Sequence, residues 1–287
     1  MADYRIITDS SCDLTALEIQ ELNIPVVSLS LNIQGKSICP TEEDYKSIYA
    51  ALRAGENATT SAANPDEWMG AMEPVLKEGK DLLVMAFSSG LSTTYQSAVI
   101  AADTLLEKYP DRKILVSDTL CASRGQGMLV WYAAEKQNGG MDLETLYRWV
   151  EDNKLHLCHW FTVDDLMFLK RGGRVSATTA LVGGMLNIKP VLFVDNEGHL
   201  IKAKTARGRR ASLDALVKMV EETGYPEEIS QEIFICHGDC LEDAQYTAEK
   251  CREKFGTKNV RIGYTGAVIG AHSGPGTVAI FYLGKHR

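Results

Sequence analysis

Short apolar runs alternate with amphipathic stretches through the first half of the chain. Tyr4–Thr8, Val26–Leu31, Asp81–Phe87 and Lys113–Ser117 are rich in branched and aromatic side chains, end at polar or turn-forming residues, and read as strands. Between them, Thr41-Glu42-Glu43-Asp44 reads as a capping box ahead of a helix over Tyr45–Arg53, and Pro65 as the first-turn proline of a helix over Asp66–Lys77. Thr93 and Thr94 open a further helix that runs to Leu106. Strands separated by helices predict a parallel sheet with crossover connections.

The second half changes character. A strand over His159–Val163 is followed by helical stretches over Asp164–Leu169 and Ala177–Leu186. Val191–Val194 and Leu200–Lys204 then flank Asn196-Glu197-Gly198, the pattern of an antiparallel hairpin. Helix Arg210–Glu222, strand Ile233–Cys236, helix Leu241–Phe255 and strands Val260–Tyr264 and Val278–Leu283 complete the series. The predicted class is α/β in two domains: an N-terminal parallel-sheet, three-layer α/β domain over 1–158 and a C-terminal α+β domain with a largely antiparallel sheet over 159–287. No repeat or Pro-rich linker separates them, so the halves are expected to pack closely and share a cleft.

At 287 residues the chain exceeds one typical core. Its longest plain apolar stretch, Leu82–Phe87, falls far short of the ~20 residues that span a bilayer. No basic and apolar leader precedes Tyr4-Arg5-Ile6-Ile7, which predicts a cytoplasmic protein, and seven cysteines in a chain of this size predict reduced thiols. The net charge of -8 opposes general attraction to nucleic acid or anionic lipid. Between Lys170 and Arg210, however, nine basic residues face only Asp195 and Glu197. That segment is either a solvated face or a docking patch, and its arginines suit bidentate contact with phosphate or carboxylate.

Three hydroxyl-rich segments, each expected as a loop, carry the candidate chemistry: Thr59-Thr60-Ser61, Ser88-Ser89-Gly90-Leu91-Ser92-Thr93-Thr94-Tyr95, and Gly270-Ala271-His272-Ser273-Gly274-Pro275-Gly276. Hydroxyls beside glycines can aim several donors at one pair of oxygens, and a loop entering a helix adds free N–H groups. That is a chemistry for holding a carboxylate or phosphate; the plainer alternative is a set of capped turns. Ser88-Ser89-Gly90 and Thr8-Asp9-Ser10-Ser11 each follow a strand, where ligands sit in open α/β sheets. A hydrolase or acyltransferase reading of the same pocket would make His272 the base for Ser92 or Ser273, but no Gly-x-Ser-x-Gly elbow occurs and nothing nominates a third partner. Cys236-His237-Gly238-Asp239-Cys240 lacks a second pair at metal-site spacing, and Asp239 reads instead as the cap of the helix from Leu241. Asp9, Asp13 and Asp118 read as turn and cap residues. Phosphate-binding glycine motifs are absent from the sequence.

Together, Ile7-Thr8-Asp9-Ser10-Ser11-Cys12-Asp13-Leu14, Thr60-Ser61, Ser88 to Ala98, Phe161-Thr162-Val163-Asp164-Asp165-Leu166, Leu169 to Arg174, Leu186 to Leu192 and Gly270 to Gly276 resemble the DegV family of fatty-acid-binding proteins along nearly the whole chain. The resemblance implies a tunnel between two domains that buries one acyl chain, and a protein without catalytic activity of its own. The carboxylate would be held by Thr60, Ser61 and Ser92, with Ser89 and His272 beside them. It also implies no metal and no cofactor beyond the bound fatty acid. Arg171, Arg174 and Arg207 would dock a separate fatty-acid kinase that makes acyl phosphate; no nucleic-acid partner, a monomer and transient membrane contact complete the expectation. Two positions depart from the family pattern. Ala62-Ala63-Asn64 replaces the common Gln-Pro continuation, and Thr93 stands where glycine is usual. A β-branched residue at 93 cannot cheaply adopt φ > 0, so the loop must use an ordinary backbone conformation there or bear strain. Burying a sixteen-carbon tail at ~0.8 kcal/mol per methylene offers roughly 11 kcal/mol before binding entropy, so the head needs only orientation and neutralisation.

Overall fold

The computed structural model describes residues 3–175 and 187–287. Seven strands come from the first half: β1 (Tyr4–Asp9), β2 (Val26–Val27), β3 (Ser30–Ile33), β4 (Lys36–Ile38), β5 (Ala58–Ser61), β6 (Asp81–Ala86) and β7 (Ile114–Asp118). Six follow: β8 (Leu157–Thr162), β9 (Ile188–Val194), β10 (Leu200–Arg207), β11 (Glu232–His237), β12 (Asn259–Tyr264) and β13 (Val278–Leu283).

The first sheet has the order β2-β1-β6-β7 with every pair parallel, as the alternation of strands and helices predicted. Leu82–Ala86 of β6 is buried on both faces, which explains its unbroken apolar run. The order reverses between β1 and β6, so a crevice opens at their carboxyl ends, where Asp9–Ser11 and the serine loop begin. The predicted strand Val26–Leu31 divides. Val26–Val27 joins the parallel sheet, while Ser30 starts β3, the centre of a three-stranded antiparallel sheet β4-β3-β5. Thr59-Thr60-Ser61 is therefore strand and not loop, in keeping with two adjacent β-branched threonines.

The second large sheet runs β10-β9-β8-β13-β11-β12 and is antiparallel except between β11 and β12. The β9–β10 hairpin forms as predicted but reaches back to Ile188 and on to Arg207. Its turn glycine, Gly198, has φ +78° and presses on the serine loop: a Cβ there would lie 2.0 Å from Ser88 Oγ. The helix expected over Asp164–Leu169 lies later, over Met167–Arg171, and the one expected over Ala177–Leu186 falls outside the described residues.

Helix Arg124–Asn138, which the sequence pattern did not reveal, joins the two large sheets. It is buried nearly all round its first turns and has no single apolar stripe. A Cβ at Gly125 would come within 2.2 Å of His159 Nε2 and 2.7 Å of Phe281, so only glycine admits so close an approach to β8 and β13. Around this helix Ile6 and Met85 of the parallel sheet share one apolar core with Phe161, Phe234 and Phe281 of the mixed sheet. No helix among the described residues is long and apolar enough to cross a membrane.

Candidate functional site

A cavity of about 450 Å³ lies between the carboxyl ends of the parallel sheet, the small sheet and the inner face of the mixed sheet. That is within the range of small-molecule sites. Alternation along the strands turns His159 and Phe161 of β8 and Ala279 and Phe281 of β13 to this one face. Phe281 pairs with His159 and Ala279 with Phe161, which makes a continuous floor. Leu29, Phe87, Leu91, Ala122 and Val268 close the other side. His159 is an uncharged part of this wall. Burial, reinforced by Arg287, pushes its pKa well below the ordinary value. Its Nδ1 lies 2.9 Å from Leu157 O and its Nε2 accepts from Ala122 N at 3.3 Å.

The polar end is built by three elements. In β5, Thr60 turns to the cavity and Ser61 turns away, with Asn32 Nδ2 at 3.4 Å from Ser61 Oγ. In helix Ala267–Ser273, Val268, Ile269, His272 and Ser273 share the cavity face, as positions i, i+1, i+4 and i+5 must. Thr60 Oγ1 and His272 Nε2 meet at 2.7 Å. Desolvation, with the positive charge of Arg174 behind it, pushes the His272 pKa down to about 4, so the imidazole is neutral at neutral pH. The ring rests on the backbone of Gly172, where a Cβ would lie 2.2 Å from Nδ1.

Arg174, expected at a docking surface, reaches into this site. Its Nε donates to Leu91 O at 3.3 Å, its Nη1 donates to Gly172 O, and it is the one charged side chain among the described lining residues. A second compartment of about 290 Å³ shares Thr60, His272 and Arg174 with the first and is also lined by Asn57 and Arg171.

The serine loop divides its labour. Ser89 and Ser92 line the cavity, whereas Ser88 Oγ donates to Gly198 O at 3.0 Å. Asp118 Oδ1 accepts from Ser89 N at 3.1 Å, and the buried Asp9 accepts from Phe87 N at 2.8 Å, fixing the end of β6. Ser92 Oγ accepts from Thr94 N at 3.2 Å and so satisfies the first free N–H of the helix Thr94–Lys108, whose N-cap is Thr93. Thr93 has φ -79°, the ordinary conformation a β-branched residue requires. Of the expected ligand residues, Thr60, Ser89, Ser92 and His272 therefore converge and Ser61 does not. Arg171 is exposed, packs over the Phe168 ring at 4.6 Å and borders the second compartment, while Arg207 ends β10 on the exposed side of that strand.

Other expectations change. Asp239 does not cap the helix from Leu241; it pairs with Arg53, whose Nη2 also donates to Asp239 O at 2.7 Å. Cys236 and Cys240 serve different neighbours, with Cys236 Sγ accepting from Thr265 Oγ1 at 3.0 Å and Cys240 Sγ 3.3 Å from Thr277 O. His272 Nε2 faces Thr60 and not a serine. Sequence reasoning also overlooked Ser123, Thr265 and Thr277 in the lining. Ser123 follows β7 much as the serine loop follows β6, so the strand-end rule was the signal for it.

A family model described as an uncharacterised protein, DegV family, matches residues 3–285. A DegV domain-containing protein of Clostridium perfringens is 44% identical over 291 residues, covering 100% of this chain and 99% of the relative. Among solved structures, a DegV family protein from Thermus thermophilus, described by its fatty acid binding, aligns with a TM-score of 0.88 at 30% identity over 98% of this chain and 99% of that one. DegV of Bacillus subtilis, described as a fatty acid binding protein, aligns with a TM-score of 0.85 at 26% identity over 99% and 100%.

Proposed function

Because the chain belongs to the DegV family, we propose that it binds a long-chain fatty acid in the cavity between its two large sheets and presents the carboxylate to a partner kinase. The observation that carries this reading is the join of an apolar cavity of about 450 Å³ to a polar end made by Thr60, Ser92, His272 and Arg174. The tail supplies affinity through burial, and the head meets hydroxyl donors, a neutral imidazole and one guanidinium. A carboxylate buried without such partners would cost several kcal/mol. Solved relatives described as fatty-acid binders support the ligand class.

Docking of a fatty-acid kinase is the finer part of the proposal. It is supported by the excess of positive charge from Lys170 to Arg210 in a chain of net charge -8. In this reading Arg171 and Arg207 guide the partner, and Arg174 serves the ligand head as well. Mass spectrometry of lipid extracted from the natively purified protein tests the ligand, with an intact fatty acid as the expected result. Thr60→Ala and Ser92→Ala should each weaken fatty-acid binding by about ten- to a hundredfold in a titration, the worth of one hydrogen bond to a charged group. Unchanged affinity in both variants would reject the proposed head site.

A further inference from the structure

The hydroxyl lining of the cavity extends beyond the proposed head site. Ser123, Cys236, Thr265, Ser273 and Thr277 also line it, each no more than 5% exposed. Most of their protons are committed. Ser123 Oγ donates to Asp13 Oδ2, Thr265 Oγ1 donates to Cys236 Sγ at 3.0 Å, and Thr277 Oγ1 donates to Gly274 O at 2.8 Å. Ser123 has φ 53°, ψ -149°, a region that residues with a side chain avoid. Ser273 differs: its Oγ has no hydrogen-bond partner among the described residues. Among the described residues, no side-chain hydrogen bond joins this group to the Thr60–His272 pair.

A buried hydroxyl without a partner is costly, and an unsubstituted hydrocarbon tail leaves it so. A ligand oxygen beside Ser273 would accept its proton, and a ligand hydroxyl could also donate to the free lone pairs of Ser273 or Thr265. Position along the ligand follows from the chain: Ser273 adjoins His272, with Cα atoms about 3.8 Å apart, and both side chains face the cavity. The oxygen therefore belongs within the first few carbons from the carboxylate. We propose that the cavity prefers acyl chains hydroxylated near the carboxyl end over plain fatty acids, with Ser273 as the residue that reads the hydroxyl. This rests on the fatty-acid reading above.

Competition binding on the full, delipidated chain tests it, with a positional series of monohydroxystearates against stearate. Acids hydroxylated at the second or third carbon should bind about five- to tenfold more tightly than stearate, the worth of one satisfied hydrogen bond. The preference should fade as the hydroxyl moves along the chain, and Ser273→Ala should bring the ratio to about one. A ratio of one in the wild-type protein overturns the proposal, as does a preference that survives Ser273→Ala. Should the variant not fold, the wild-type series decides by itself. Failure of stearate to bind at all would instead remove the parent reading, and this one with it.

Discussion

Replacing His272 by glutamine should change how stability depends on pH. The imidazole titrates at about 4 in the fold against an ordinary 6.5, because it is desolvated and lies in the field of Arg174. Between those two values the unfolded chain takes up a proton that the folded chain refuses. The contribution of this group to stability is therefore complete above pH ~6.5 and is lost as pH falls towards ~4, at about 1.4 kcal/mol per pH unit and about 3 kcal/mol across the window. Glutamine keeps a hydrogen-bonding group beside Thr60 and cannot titrate. Urea denaturation of both proteins across this range should show a stability difference that is constant above neutrality and moves in favour of the variant by about 3 kcal/mol at the acid end. His159 and His237, also held low by burial, titrate in both proteins and cancel in the difference. A difference that does not vary with pH would refute the burial and charge assigned to His272. Occupation by a fatty acid adds a carboxylate beside the ring and should raise its pKa, which a histidine NMR titration with and without ligand would read directly.

Arg174→Gln should weaken fatty-acid binding, whereas Arg171→Gln should leave it near wild type and slow acyl phosphate formation by the proposed kinase partner; equal lipid affinity in the two variants would count against a ligand role for Arg174. Gly198→Ala should destabilise the protein by about 1–2 kcal/mol through its positive φ alone, and further by driving the new Cβ into Ser88 Oγ. An unchanged urea midpoint would show that the hairpin turn yields without cost. Gly125→Ala should cost about 1–3 kcal/mol by overpacking against His159 and Phe281, measured in the same way.

Much of the fold was legible where one element serves one surface. Leu241–Phe255 and Val278–Leu283 have the bounds their patterns predict, and the capping box at Thr41 and the proline at 65 mark real helix starts. Legibility failed where a segment serves two surfaces. Val26–Leu31 is one apolar run in sequence but feeds two sheets, and Arg124–Asn138 lacks a stripe because it is enclosed by both halves. Thr59-Thr60-Ser61 passed for a loop because its hydroxyls suggested turn chemistry more strongly than its branched side chains suggested a strand. For the site, Thr60 and His272 are 212 residues apart, so no local pattern could join them and only the family resemblance did. Arg174 was grouped with its basic neighbours by charge; its reach to Leu91 O is a tertiary fact that composition does not carry.

β13 is the final strand of the chain yet it occupies the interior of the mixed sheet, between β8 and β11. A polypeptide synthesised from its N-terminus therefore makes the strands on both sides of this position before it makes residues 278–283. Ala279 and Phe281, half of the cavity floor, arrive only then. Until that strip docks between its neighbours, the cavity lacks half its floor. Trimming this strip would remove a keystone, parting β8 from β11 and opening the chamber along its length.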